Sequence, residues 1–138
     1  MKKIIAVSLV LATVALMLIS CASGNKKNVT VTVIDEISVS EDGNNKVDIS
    51  GDVQVPEEAD AAECIRSLCN TNGIVVEGVD NGFITKVADV ENAGNYAWMF
   101  YINGELSEDK GISDYIPEQG DKIELRYVDF TEIFAAYE

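Results

Sequence analysis

Residues 96–104 read Tyr96-Ala97-Trp98-Met99-Phe100-Tyr101-Ile102-Asn103-Gly104, and they decide the architecture. Aromatic and β-branched side chains favour a pleated strand, and Asn-Gly ends it in a turn. Side chains alternate across a strand, so Trp98, Phe100 and Ile102 share one face and Met99, Tyr101 and Asn103 the other. Both faces are bulky, which leaves two readings. Either this is a central strand with a helix on one side and a loop over the other, or one face is an open aromatic platform for a flat apolar ligand.

Downstream, residues 105–116 read mostly as loop. Pro117-Glu118-Gln119-Gly120-Asp121 is a turn, and Lys122 to Phe130 is a last strand with Ile123, Leu125 and Tyr127 on one face. Upstream, Ile74 to Val79 and Phe83 to Val87 flank Asp80-Asn81-Gly82, a hairpin signal. Before them, Ala61, Cys64, Ile65, Leu68 and Cys69 form a helical apolar stripe, opened at Pro56-Glu57-Glu58 and stopped at Gly73. Val29 to Ile34 and Lys46 to Val55 pair as a first hairpin across Glu41 to Asn45, with Gly51 marking a bulge. One helix against mainly antiparallel strands is an α+β fold, and no disulfide or metal is required to stabilise it. Within the helix, Cys64 and Cys69 lie about 140° apart around the axis. They read as two buried thiols, or as a disulfide only if the helix frays before Cys69.

The N-terminus is of another kind. Lys2 and Lys3 precede an apolar run from Ile4 to Ile19, which leads into Leu18-Ile19-Ser20-Cys21. A charged start, an apolar middle and a small residue before the cut make residues 1–20 a secretory signal. The Leu and Ser before Cys21 resemble a bacterial lipobox, which implies cleavage before Cys21 and a diacylglycerol on its sulfur. An ordinary signal peptide and a single spanning helix are the alternatives, although the run falls short of the ~20 residues a span needs. Residues 21–28 then form the lipidated N-terminus and a polar tether, residues 29–130 the domain, and residues 131–138 a tail.

The chain of 138 residues carries 24 acids against 10 bases, a net charge of −14, and no histidine. An acidic surface argues against nucleic acid, whose phosphates need cations. It also holds the domain off an anionic membrane. Histidine catalysis and histidine metal sites are excluded by composition. The serines stand in no nucleophile motif, so an enzyme is not expected. Residues 41–48 offer oxygen ligands without the closing glutamate of a calcium loop.

Gly111-Ile112-Ser113-Asp114-Tyr115-Ile116-Pro117-Glu118-Gln119-Gly120-Asp121-Lys122-Ile123-Glu124-Leu125-Arg126-Tyr127-Val128 resembles the C-terminal end of the animal cobalamin carriers, transcobalamin and intrinsic factor. Trp98 to Gly104 resembles their aromatic strand. The same module occurs in small bacterial surface lipoproteins as the domain of unknown function DUF4430. The resemblance implies a transcobalamin C-terminal-domain-like, β-grasp-like fold, and a small ligand, cobalamin or another corrinoid. In the carriers this domain covers one ligand face and a helical barrel the other; the barrel is missing here. By resemblance Trp98, Phe100, Tyr101 and Tyr115 would offer flat apolar contacts, with the ligand stacked on Trp98 and Tyr101. Asn103 and Ser113 would hydrogen-bond its amides. Gly111–Asp121 also has a purely structural account, as a loop of turn glycines stiffened by Pro117.

The expectation is a membrane-anchored extracytoplasmic module that captures a small ligand beside a transporter or a companion surface protein. A protein- or glycan-interaction (adhesion) module is the alternative. Replacing the lipidated residue, Cys21→Ala, is expected to release the protein from the membrane fraction on cell fractionation; retention would assign an uncleaved helix instead.

Overall fold

The structure, a computed structural model, describes residues 24–38 and 46–138. The signal segment 1–20, Cys21 and the 41–45 turn lie outside the described residues. Among the described residues no helix is long and apolar enough to cross a membrane.

Alternating valines make the first strand, β1 (Lys26–Asp35): Val29, Val31 and Val33 are fully buried. It begins inside the stretch assigned to the tether, because Lys27 is held. The Lys27 ammonium is buried and donates to the carbonyls of Glu57 and Ala59, both at 2.8 Å. β2 (Asp48–Pro56) returns antiparallel to β1 in unbroken register, Val31 opposite Gly51. Gly51 therefore makes no bulge. A Cβ there would stand 3.3 Å from Leu68 Cδ1, so its bare backbone lets the helix approach β2.

The helix α1 runs from Ala61 to Thr71. Pro56 ends β2 instead of opening the helix, and Asp60 is the N-cap, its carboxylate accepting from Glu63 N at 2.9 Å. The predicted apolar stripe is the buried face. At the other end Gly73, at φ 67°, donates to Asn70 O, and Ile74 N donates to Cys69 O at 2.9 Å. These two bonds satisfy the last carbonyls in a left-handed glycine stop.

The 74–87 hairpin is looser than the Asn-Gly signal predicts. β3 (Val76–Glu77) pairs with β4 (Lys86–Val87), which pairs with β5 (Val90–Glu91), in a small second sheet. Between β3 and β4 the chain makes a 3₁₀ turn over Val79–Asn81. Gly78 sets this geometry: at φ 93° a Cβ would lie 2.0 Å from the Phe83 carbonyl.

The aromatic strand is β6 (Tyr96–Ile102), followed by β7 (Glu105–Leu106) and β8 (Lys122–Asp129). The main sheet has the order β2-β1-β8-β6-β7. Its pairs are antiparallel except for β1 and β8, which run parallel, Val31 opposite Ile123 and Val33 opposite Leu125. One face carries α1 and the core. The chain then turns into α2 (Phe130–Ala135), capped by Asp129, where a plain tail was expected.

Cys64 and Cys69 are free and buried, and burial pushes both thiols up to about 11. An unfolded chain ionises them nearer pH 9, so between pH 9 and 11 the folded state holds protons the unfolded state has lost. Stability therefore falls as pH rises through that window. A thiol-specific reagent should label neither cysteine at neutral pH until denaturant unfolds the chain; rapid labelling of the folded protein would contradict this burial.

Candidate functional site

The segment Gly111–Asp121 is a loop fastened at both ends. The first amides of a helix have no partner within it. Here Ala61 N donates to Tyr115 O at 2.8 Å and Ala62 N donates to Ile112 O at 2.9 Å. Ile112 and Pro117 are buried beneath, and Asp114 closes a tight turn on Gly111. The structural account of this motif is thereby explicit: it caps α1.

Asp121 fastens the far end. It accepts from the Tyr115 hydroxyl at 2.6 Å, from Glu118 N at 2.9 Å and from Asn103 Nδ2 at 3.2 Å. Burial alone would raise the Asp121 carboxyl, but these hydrogen bonds outweigh it and hold it below the ordinary range. Burial and then the bond to Asp121 push the Tyr115 hydroxyl up to about 12. Asn103, at φ 50°, returns the contact to the sheet by accepting from Lys122 N at 2.9 Å. Asn103 is thus engaged at the turn and is a structural residue.

The two faces of β6 have different fates. Trp98 is 3% exposed and Phe100 9%. The Trp98 indole donates to Val90 O at 2.9 Å, and its ring centroid lies 5.3 Å from that of Tyr127. These are core side chains closed to a stacked corrin, which corrects the open-platform expectation for this face. Tyr101 lies on the opposite face, with the Arg126 guanidinium 4.3 Å from its ring centroid. Trp98 and Tyr101 therefore cannot stack on one ligand face. The physical reason is that strand pleating separates them while cross-strand partners bury both.

An opening remains at the edge of the core. A cleft of about 150 Å³ is lined by the 82–84 and 107–112 loops, with Trp98, Phe100 and Leu125 among its walls. Phe83, 60% exposed, is its largest free apolar surface. Ser107, Lys110 and Gly111 also line it. Tyr115 stands behind, its ring 6.3 Å from Phe100 and 5.7 Å from the Lys110 ammonium. Ser113 is exposed beside Gly82, where a Cβ would come 3.1 Å from Ser113 Oγ.

The structure thus gathers Trp98, Phe100, Ser113 and Tyr115 around one loop edge, ties Asn103 to Tyr115 through Asp121, and leaves Tyr101 on the opposite face of β6. Phe83 and Lys110 were not singled out from sequence. Phe83 reads there as the first residue of a strand, whereas Lys110 is the one basic residue between 105 and 121, a signal that was available. Among the described residues no group of three or more Cys, Asp or Glu is placed to hold a metal ion.

Removing the Asp121 node should be costly, because it leaves the Tyr115 hydroxyl and the Glu118 amide without their acceptor. Asp121→Ala is expected to lower stability by about 1–3 kcal/mol in denaturant titration. The depressed carboxyl means its contribution is present above the ordinary carboxylate pKa and lost as pH falls through the folded value. An unchanged denaturation midpoint would remove Asp121 from this role.

A search of curated proteins finds no match. Among solved structures the chain is similar to haptocorrin in complex with Cbi, with a TM-score of 0.59 at 16% identity over 78% of this chain. The match spans 26% of haptocorrin, so the likeness is to one part of that protein. A candidate metal-binding protein from Ruminococcus gnavus ATCC 29149 matches at a TM-score of 0.48 and 21% identity, over 75% of this chain and 97% of that one. The haptocorrin likeness establishes the fold: a mainly antiparallel sheet with few helices. The model of the family DUF4430, a domain of unknown function, matches residues 63–129.

Proposed function

We propose that this chain is a lipid-anchored extracytoplasmic binding module that presents the 82–84 and 107–112 loop edge to a small ligand, with a corrinoid as the first class to test. The observation that carries the reading is the exposed Phe83 on a cleft lined by Trp98 and Phe100 and flanked by Lys110 and Ser107. Ligand pockets combine an apolar surface with a few polar groups in this way. The haptocorrin complex with Cbi makes corrinoids the natural probe.

Size sets the binding mode. The cleft of about 150 Å³ is below the roughly 300–1,000 Å³ of pockets that enclose a drug-sized ligand. A corrin cannot enter it. It would lie across the loops with Phe83 beneath an apolar edge, its other face left to solvent or to a partner such as a transporter or a companion surface protein. One-sided contact of this kind predicts weak binding by the isolated chain. Tyr101 and Asn103 have no part in this mode.

The alternative is a surface protein- or glycan-interaction module. The exposed apolar side chains Val75, Phe83, Ile116, Phe134 and Tyr137 favour it, since such surface is costly to leave in water without a partner.

Titration of the full chain with cobalamin and cobinamide, followed by absorbance, separates the two readings. Saturable binding is expected, weakened about tenfold by Phe83→Ala, a truncation of exposed aromatic surface worth about 1 kcal/mol or more. Tyr101→Phe should leave it unchanged. No saturation at millimolar ligand would eliminate the corrinoid. A protein partner still captured in excess small ligand would favour the interaction module.

A further inference from the structure

The root of β1 is fastened as far back as Asn25, whose carbonyl accepts from Glu57 N at 3.3 Å. Lys27 follows, buried and bonded to two carbonyls. Gly120 N donates to Asn28 O at 2.9 Å, and Asn28 N donates to Gln119 Oε1 at 2.8 Å. Pro56 lies opposite Lys26, and Asn103 is tied to Asp121. One end of the main sheet therefore gathers the start of β1, Glu57 and Glu58, the 116–120 turn and the Asn103–Gly104 turn.

Asp35 closes β1 at the other end, where it lines one depression with Asp89, Tyr96 and Tyr127. A strand of ten residues sets the two ends about 30 Å apart. That length decides how an anchored chain can stand.

Four peptide units join Cys21 to Asn25. Fully extended, they span about 14 Å. On the lipid-anchor reading, on which this inference rests, acyl chains hold Cys21 at the bilayer surface, and Asn25 stays within that reach. Turning the domain over, so that the Asp35 end met the surface, would lift Asn25 about 30 Å away, about twice what the tether spans. Length thus excludes the inverted orientation. Charge opposes the flat one. Laying the sheet along an anionic bilayer brings a chain of net charge −14 within a screening length of it, about 8 Å at physiological salt. The tether draws one end in, and repulsion pushes the rest of the body out.

We infer that the domain stands on end over the membrane, with Glu58 and the 116–120 turn facing an anionic lipid surface and the end that carries Asp35 and Asp89 directed away. Glu57, Glu58 and Glu118 lie on the facing end, so it meets the head groups across water and does not embed.

The test uses the lipidated protein in vesicles of phosphatidylcholine and phosphatidylglycerol that carry an energy-transfer acceptor on their head groups. A fluorophore is attached at Glu118→Cys or at Asp89→Cys, both exposed positions, while the buried Cys64 and Cys69 stay unlabelled. The label at 118 is expected to be quenched several times more strongly than the label at 89. A second pair, Glu58→Cys against Asn95→Cys, repeats the comparison at other exposed side chains of the same two ends. Inserting a flexible stretch of ~20 Gly and Ser residues after Ser23 extends the typical reach by about 25 Å and should bring the paired signals together. Equal quenching of each pair, stronger quenching at 89 and 95, or an undiminished difference with the long insert would each overturn the inference. Retention on the vesicles reports on the anchor separately. A chain that washes off removes the lipid-anchor reading and this inference with it, whereas a retained chain with equal quenching overturns the orientation alone.

Discussion

Two amides at the start of α1 hold this molecule's loop edge in place. Ala61 and Ala62 donate to the carbonyls of Tyr115 and Ile112, which lie about fifty residues away along the chain. The helix could not end in apolar surroundings without acceptors, and the loop could not hold its course without donors. Each therefore fixes the other. With Ile112 and Pro117 buried beneath, the loop's remaining freedom lies in its outward side chains, Ser113 and Lys110 among them. The 82–84 turn then meets it at Ser113 and completes the cleft.

Much of the frame was legible because local spacing determined it. The α1 stripe follows the helical period, and Gly73 stands where a left-handed stop is needed, so both emerge as read. The helix start did not, because Pro56 ends a strand as readily as it begins a helix, and the discriminating signal was Asp60, whose carboxylate caps the helix. Asn81-Gly82 misled for a similar reason. Gly78, four residues before Gly82, is the residue in closest backbone contact, and it opens a wider turn than the dipeptide alone specifies. The parallel pairing of β1 with β8 joins segments far apart in sequence and leaves no local mark.

The candidate site was half legible. Bulky side chains on both faces of β6 said that both faces meet something, without saying what. One meets Tyr127, Tyr115 and the Val90 carbonyl; the other meets Arg126 and the end of the chain. Trp98 is the larger ring and the natural guess for an open platform, yet its indole N–H has a carbonyl waiting on β5 and so belongs indoors. Tyr101, on the opposite face, lies under the Arg126 guanidinium, 4.3 Å from its ring centroid. That difference depends on cross-strand neighbours that the residues of β6 alone do not specify.

The parallel β1–β8 pair has a mechanical consequence. β1 enters the sheet at Lys26 and β8 leaves it at Asp129, at opposite ends of adjacent strands that point the same way. Tension drawn between those two points runs along the strands, while the bonds joining them lie across it. All rungs of the ladder then bear the load together instead of opening in turn, so a domain pulled from its two ends resists as a sheared lap joint and does not unzip.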